Sequence, residues 1–287
     1  MDNRRNFLQR ATAFGLSLAL PWAYAQPPAG ETLPLRMGVH PYNSTLALVA
    51  THQPLVRYLE NALGRPVEFY TAADFDSYVA SLLGGDYDLA ICPPHFAVLA
   101  SHRVMAPLVH YQLRLEPILL VRTDGKLRTL KDLRGKRIAM ADRTALIRIA
   151  VVKVLEDNGL VAGRDYEIVE KPSHGAAVAA AAIGEVDAGL ITTTLLKQLP
   201  ADVQQQVRII ATGLSFPNLV TMARRSLGTA ALLRVRDALL AFQATPEGKA
   251  FFFKSGFGGY EEVNVAEFDS LKPYVDAYLR MKGSAAK

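Results

Sequence analysis

The chain has 287 residues, a formal net charge of +5 and a single cysteine, Cys92. This length is sufficient for two hydrophobic cores of ordinary size. One cysteine excludes an internal disulfide. The charge is small, and neither a Lys/Arg block nor an RNA-stacking motif accompanies it, so a nucleic-acid partner is not expected.

The first 25 residues have the pattern of a secretory signal peptide. A start with three arginines precedes an apolar run at 11–20, and a small-x-small cleavage site ends at Ala25. The run is shorter than the ~20 residues that a spanning helix needs, which disfavours a permanent anchor and membrane insertion after cleavage. Arg4 and Arg5 resemble a twin-arginine signal, with the Sec route as the alternative. Export to the periplasm is predicted, and cleavage lowers the net charge to +3.

Strands and helices alternate along the first part of the mature chain. Strands are predicted at 33–39, 67–70, 88–92, 104–111 and 116–121, with helices at 54–63, 75–83 and 96–101. Pro54 stands at a helix start and Gly64 at a helix end. Pro93 and Pro94 must end the strand that Asp88 begins, because proline cannot continue its hydrogen-bond ladder.

The pattern restarts after a turn at 123–125. Strands are predicted at 137–140, 165–170, 187–191 and 207–211, and helices at 145–158 and 176–183. Residues 217–222 lead back to the first part, followed by helices at 230–242, 245–253 and 265–280. An α/β fold is predicted, with two lobes that each contain a mostly parallel sheet flanked by helices. Lobe one comprises 34–122 plus 217–287 and lobe two 123–216, with crossings near 121–126 and 215–220.

Several segments, in this order and spacing, resemble one known family over nearly the whole mature chain. They are Gly38-Val39-His40-Pro41-Tyr42, the 54–59 and 63–67 segments, Tyr87-Asp88-Leu89-Ala90, the 130–136 segment, Ser173-His174 and the 184–189 segment. The chain resembles periplasmic solute-binding proteins of the phosphate, phosphite and phosphonate type, which serve ABC importers. The resemblance implies two α/β lobes that are joined by a two-segment hinge and close over a ligand.

Two segments differ from the family's pattern. Phosphonate binders present a run of Ser and Thr at a helix start in lobe two, where helix N–H groups also hold the anion. Here that segment is Asp142-Arg143-Thr144-Ala145, and only Thr144 has a hydroxyl group. Family members can present an aromatic residue where this chain has Cys92-Pro93-Pro94-His95.

Candidate ligand-binding residues follow the predicted strands, because ligands of open α/β sheets bind outside the carboxyl ends of the strands. In lobe one these are Tyr42, Asn43, Asp74, Cys92 and His95. The alternative for Asn43 is that it caps a helix and does not contact a ligand, and Asp74 is also predicted to cap a helix. Cys92 and His95 have the chemistry of ligands for soft or borderline metals. Two such residues do not complete a metal site, and a buried structural Cys92 is the alternative.

Lobe two supplies Arg143, Thr144, Ser173, His174 and Thr192. An arginine can hold an oxyanion through two parallel hydrogen bonds, although an exposed Arg143 would have no such role. The resemblance implies a ligand contact for His174. Thr192 offers a hydroxyl group, but β-branched residues are also common in strands without any role.

No nucleophile elbow, zinc-protease motif or P-loop is present, so we predict a non-enzymatic protein that needs no cofactor or metal. We expect a monomer that captures a small oxyanion, of the phosphate, phosphite or phosphonate type, between its two lobes for delivery to an ABC permease. A sensor that signals to the periplasmic domain of a histidine kinase is the alternative. In that case arsenite, which is neutral and thiophilic, could be recognised through Cys92.

Overall fold

The computed structural model describes residues 33–285, and the predicted signal peptide at 1–25 lies outside them. No helix in this range has the length and apolar character needed to cross a membrane. The strands of this part of the chain, numbered in chain order, are β1 Leu35–Val39, β2 Val67–Tyr70, β3 Leu89–Cys92, β4 Met105–Tyr111, β5 Pro117–Arg122, β6 Arg137–Met140, β7 Glu167–Glu170, β8 Ala188–Thr192, β9 Val207–Ala211, β10 Val220–Arg224 and β11 Tyr260–Glu262.

Helices connect most of these strands. The α-helices are α1 Thr45–Leu63, α2 Phe75–Gly84, α3 Pro94–Ser101, α4 Leu146–Asp157, α5 His174–Ala182, α6 Thr193–Leu196, α7 Ala201–Gln206, α8 Thr229–Phe242, α9 Pro246–Ser255, α10 Val265–Phe268 and α11 Lys272–Ala285. Short 3-10 helices span Leu130–Leu133, Arg225–Leu227 and Asp269–Leu271.

The strands form two separate sheets. The first has six strands in the order β11-β4-β10-β3-β1-β2, and the second has five in the order β7-β6-β8-β5-β9. β1 runs parallel to β2 and β3, and β6 runs parallel to β7 and β8. β10 is antiparallel to β3 and β4, and β5 is antiparallel to β8 and β9. The predicted two-lobed α/β class is confirmed, with sheets that are mixed because β10 and β5 run against their neighbours.

Two segments connect the sheets, and they pair with each other. The amide N of Leu115 lies 3.0 Å from the carbonyl O of Phe216, and the amide N of Phe216 lies 3.0 Å from the carbonyl O of Leu115. The first crossing precedes β5, which belongs to the five-stranded sheet, whereas the sequence places residues up to 122 in lobe one. An apolar strand pattern shows that a segment is buried, but it does not show which sheet the strand joins, because strand pairing is determined by tertiary contacts.

Helix α1 begins nine positions before the predicted start at Pro54, which lies inside the helix. Ser44 caps it, since its Oγ accepts a hydrogen bond from the amide N of Ala47 at 3.3 Å. The buried Leu48 and His52 continue the helix's inner face upstream of the proline. The prediction was wrong because proline removes one helical hydrogen bond but does not prevent packing of the preceding turns.

The predicted single helix at 265–280 is interrupted. Helix α10 ends at Phe268, a 3-10 turn follows, and α11 starts at Lys272. Pro273 is the reason, because it cannot donate a backbone hydrogen bond to the preceding turn and is tolerated best at the beginning of a helix. The short elements α6, α7 and β11 were not predicted, since they are too brief to show a hydrophobic period.

Close packing of α5 on β8 gives a first testable expectation. A Cβ atom added at Gly189 would lie 2.6 Å from the carbonyl O of Ala177, which belongs to the helix backbone. We expect Gly189→Ala to lower the free energy of unfolding by about 1–3 kcal/mol, as overpacked cores do. Urea unfolding would measure this. Gly84→Ala is the control, because its Cβ would meet only ordinary contacts at 3.8 Å; equal stabilities would contradict the packing described.

Candidate functional site

A cavity lies where the helices of the two sheets approach each other. The volume open to the centre of a water molecule is about 40 Å³, enough for a few waters or one ligand of a few non-hydrogen atoms. Its wall is formed by His40, Tyr42, Phe75, Pro93, Leu115, Ala145, Leu146, Ile147, His174, Thr192, Thr194, Leu195, Gln198, Asn218, Leu219 and Phe257.

Helix N-termini from both sheets reach this cavity. Phe75 and His174 are the first residues of α2 and α5, and Pro93, Ala145 and Thr192 immediately precede α3, α4 and α6. The first N–H groups of a helix lack partners within it, and the helix dipole places partial positive charge there. The wall therefore favours a ligand that accepts hydrogen bonds.

Hydrogen bonds connect elements of the two sheets near the cavity. Nε2 of His95, in α3, lies 3.1 Å from the carbonyl O of Thr144, which precedes α4. Nε2 of Gln198 donates to the carbonyl O of Ser255 at 2.9 Å. These bonds join the helices of the six-stranded sheet to elements of the five-stranded sheet, so the structure has the sheets closed over the space.

The polar side chains of the wall are held in place by their neighbours. The hydroxyl O of Tyr42 lies 3.2 Å from Nε2 of His52. Oγ1 of Thr192 lies 3.0 Å from Oγ1 of Thr194 and accepts from the amide N of Leu195 at 3.2 Å. Oδ1 of Asn218 accepts from the amide N of Leu219 at 2.7 Å. Preorganised hydroxyl and amide groups of this kind give a small ligand a fixed orientation.

The histidines of the site are neutral at pH 7. Burial lowers the pKa of His174 to about 4 and that of His95 to about 4. Burial also lowers the pKa of His40, and the neighbouring His174 and His95 add to this effect. Nδ1 of His40 and Nδ1 of His174 are buried without a hydrogen-bond partner within the described part of the chain. Both residues belong to the cavity wall, where a ligand can provide a missing partner.

Three of the predicted site residues, Tyr42, His174 and Thr192, line the cavity. Asn43, Asp74 and Ser173 lie near it at helix starts but are not part of its wall. Oδ1 of Asn43 accepts from the amide N of Ser44 at 2.9 Å. Asp74 caps α2, because its Oδ1 accepts a hydrogen bond from the amide N of Ser77 at 2.7 Å. Ser173 caps α5, because its Oγ accepts a hydrogen bond from the amide N of Ala176 at 3.2 Å.

The remaining predicted site residues also lie outside the wall. Arg143 is exposed, and Thr144 is buried with its hydroxyl bonded to Asp142. Cys92 is 0% exposed within β3, and its Sγ lies 3.7 Å from Sδ of Met222. Burial raises the pKa of the thiol, which disfavours the reactive thiolate. This position gives no support to arsenite recognition through Cys92.

Other wall residues were not among the predicted site residues. His40 and Thr194 had a usable signal, because His40 directly follows a predicted strand and Thr194 lies three residues after another, and each is close in sequence to a residue that was chosen. Gln198, Asn218 and Phe257 had none. They lie in connecting segments whose position depends on tertiary packing.

Comparison with known proteins agrees with this fold. A family model described as ABC transporter, phosphonate, periplasmic substrate-binding protein matches residues 37–268. The phosphate-import protein PhnD of Mycolicibacterium smegmatis is 27% identical over 183 residues. That match covers 56% of this chain and 56% of the relative, so the chain spans about half the length of this curated relative.

Two solved structures share the architecture at low sequence identity. PhnD1 from Prochlorococcus marinus, in complex with methylphosphonate, has a TM-score of 0.74 and 14% identity, with 84% of this chain and 96% of that chain covered. A binding protein component of an ABC phosphonate transporter from Pseudomonas aeruginosa has a TM-score of 0.70 and 14% identity, with 89% and 100% covered. These similarities show the fold. The family comprises substrate-binding proteins and not enzymes. The match over most of the chain shows that this protein belongs to the phosphonate-type periplasmic substrate-binding proteins of ABC transporters.

Proposed function

We propose that this protein captures a small tetrahedral oxyanion, of the phosphate, phosphite or phosphonate type, in the cavity between its two sheets. The observation that carries the proposal is the meeting of helix N-termini from both sheets at one cavity. Donors that are fixed in this way suit the oxygens of an anion. His40, Tyr42, His174, Thr192 and Thr194 are the proposed contacts.

Binding is proposed to close two lobes about the paired segments at Leu115 and Phe216. The first lobe carries the six-stranded sheet and the second the five-stranded sheet. Two connections restrict the relative motion to bending, and closure of two domains around a ligand is an established form of hinge motion. The closed form would then deliver the solute to an ABC permease. The family description favours this partner over a histidine kinase.

The chain is further proposed to act as a monomer in the periplasm after cleavage at about Ala25. The basic start and apolar run of residues 1–25 motivate this proposal. Sequencing the N-terminus of the exported protein would test it. A mature protein that retains Arg4 and Arg5 would contradict it.

A calorimetric titration with phosphate, phosphite, methylphosphonate, sulfate and arsenate tests the function. A ligand that binds only the folded state at a hundredfold excess over Kd should raise the free energy of unfolding by about 2.7 kcal/mol. Thermal unfolding can therefore screen the same set. Binding of sugars or amino acids without binding of any oxyanion would contradict the proposal.

Closure itself gives a further prediction. A methyl group added at Gly175, in α5, would overlap with Oδ1 of Asn43, which precedes α1 on the other sheet. We expect Gly175→Ala to weaken oxyanion binding by roughly two- to tenfold, because the Asn43 side chain must move in the closed form and lose its hydrogen bond from the amide N of Ser44, which costs about 0.5–1.5 kcal/mol. Calorimetry with the tightest-binding oxyanion would measure the loss.

The double variant Gly175→Ala with Asn43→Gly is the control, because it removes the overlapping side chain. It should recover most of the lost affinity. Equal affinities of Gly175→Ala and the wild type would show that this approach of the two sheets does not contribute to binding.

A further inference from the structure

The cavity wall combines helix N-termini with a lack of formal charge. Among the sixteen wall residues, all in the described part of the chain, there is no Lys, Arg, Asp or Glu. We propose that the cavity selects a singly charged tetrahedral anion with an apolar substituent and rejects dianions of similar size, an inference that rests on the proposed function and narrows its ligand. Sulfonates and phosphinates would then be accepted, and sulfate would be excluded.

The histidines provide hydrogen bonds without a counter-charge. His40 is 2% exposed and His174 is 7% exposed, and the Nδ1 of each has no hydrogen-bond partner among residues 33–285. Burial lowers the pKa of both residues, so neither is protonated near pH 7. Each imidazole can therefore bond one ligand oxygen but cannot balance a second negative charge, and an unbalanced charge is costly to bury.

The helix N-termini provide less positive charge than their number suggests. Each is equivalent to roughly half a positive charge, and four helices of at least eight residues begin at the wall. Asp74 already accepts a hydrogen bond at the start of α2, and Asp142 accepts one from the amide N of Thr144 at 2.7 Å, just before α4. Helix α3 begins at Pro93 and Pro94, which have no N–H groups to donate.

Arginines near α4 do not compensate. Arg143 is exposed and is not part of the wall. Nη1 of Arg148 donates to the carbonyl O of Ala141 at 2.8 Å and lies 2.9 Å from Oε1 of Glu170. What remains is about half a positive charge, from the start of α5, which balances part of the charge of a monoanion and leaves most of the charge of a dianion unbalanced.

The apolar side of the wall needs a partner on the ligand. More than half of the wall residues have apolar side chains, among them Phe75, Leu115, Leu146, Leu219 and Phe257. An anion with four charged or polar oxygens would place at least one of them against this carbon surface without a hydrogen bond, which is unfavourable. A methyl group in that position would bury apolar area instead.

Anions whose charge does not change near neutral pH separate the two parts of the proposal. Perchlorate and sulfate differ in charge but not in shape, and methanesulfonate adds a methyl group to a monoanion. In calorimetry at pH 7.5 we expect methanesulfonate to bind at least about tenfold more tightly than sulfate, with perchlorate also above sulfate, because the second charge has no partner. An affinity for sulfate equal to the affinity for methanesulfonate would overturn the proposed selection by charge, but it would leave the proposal of oxyanion capture intact. If the protein binds none of these anions and also fails to bind methylphosphonate and phosphate, the proposed function itself is wrong.

A matched pair of variants places the selection at this wall. His174→Lys adds a positive charge at the cavity, and His102→Lys adds the same charge at an exposed position. We expect His174→Lys to shift the sulfate-to-methanesulfonate affinity ratio towards sulfate by about tenfold, and His102→Lys to leave it unchanged. An equal shift in both variants would show that net charge, and not the cavity, sets the preference. If His174→Lys does not fold, the anion series with the wild type still decides.

Discussion

Acidification from pH 7 to pH 5 should destabilise this protein by several kcal/mol. Four buried histidines, His40, His52, His95 and His174, are the cause. Burial lowers the pKa of His52 to about 3 and those of His95 and His174 to about 4, and it lowers the pKa of His40 as well. In the unfolded chain the same groups titrate near 6.5.

The sign of the effect follows from which state binds more protons. Below about pH 6.5 the unfolded chain takes up protons that the folded chain does not, so stability falls as the pH decreases towards the folded pKa values. Each histidine should cost about 2 kcal/mol at pH 5. Carboxylates whose pKa is lowered in the folded protein, such as Asp74, also stabilise the fold. That stabilisation is lost mainly below pH 5, because their pKa in the unfolded chain is near 3.9.

Urea unfolding between pH 7 and pH 5 measures this dependence. His52→Gln should reduce the slope of stability against pH by up to about 1.4 kcal/mol per pH unit, whatever its effect at pH 7. His102→Gln is the control, because His102 is exposed and should leave the slope unchanged. A wild-type stability that is constant over this range would mean that these histidines are not kept neutral by burial.

Filling the cavity should abolish ligand binding. Ala145 is 2% exposed, lines the cavity and has an extended backbone conformation with φ −64° and ψ 129°, which leucine also adopts. Ala145→Leu adds three carbon atoms to a space of about 40 Å³. We expect affinity for the tightest-binding oxyanion to fall by more than about 100-fold, or about 2.7 kcal/mol.

The control for this variant is Ala179→Leu, at an exposed position of α5. Both proteins should unfold cooperatively, and only Ala145→Leu should lose binding in calorimetry. Unchanged affinity in a folded Ala145→Leu protein would place the ligand elsewhere.

Local signals in the sequence predicted much of the fold. The strands β2, β6 and β9 have the predicted bounds, because short apolar runs between turn residues define them closely. The assignment of β5 to a sheet was beyond such signals. Pairing between segments far apart in sequence is set by tertiary packing, which a single sequence does not display.

The site was predicted less completely, for a related reason. The rule that ligands bind at the carboxyl ends of strands selected the edge of each sheet at which the cavity lies, and three of the residues it selected, Tyr42, His174 and Thr192, are part of the cavity wall. It could not decide which side chains near a strand end face the cavity. Pro93 does, whereas its neighbour Cys92 packs against Met222 inside the sheet.

A crystal structure with bromomethanesulfonate, a tetrahedral monoanion, would test the central claim most directly, because bromine gives an anomalous signal that locates the ligand. We predict one bromine peak inside the cavity, with the sulfonate oxygens near His40, His174 and Thr192 and the bromomethyl group against the apolar wall. A peak on the outer surface, or an empty cavity in crystals of protein that binds this ligand in solution, would contradict capture between the two sheets.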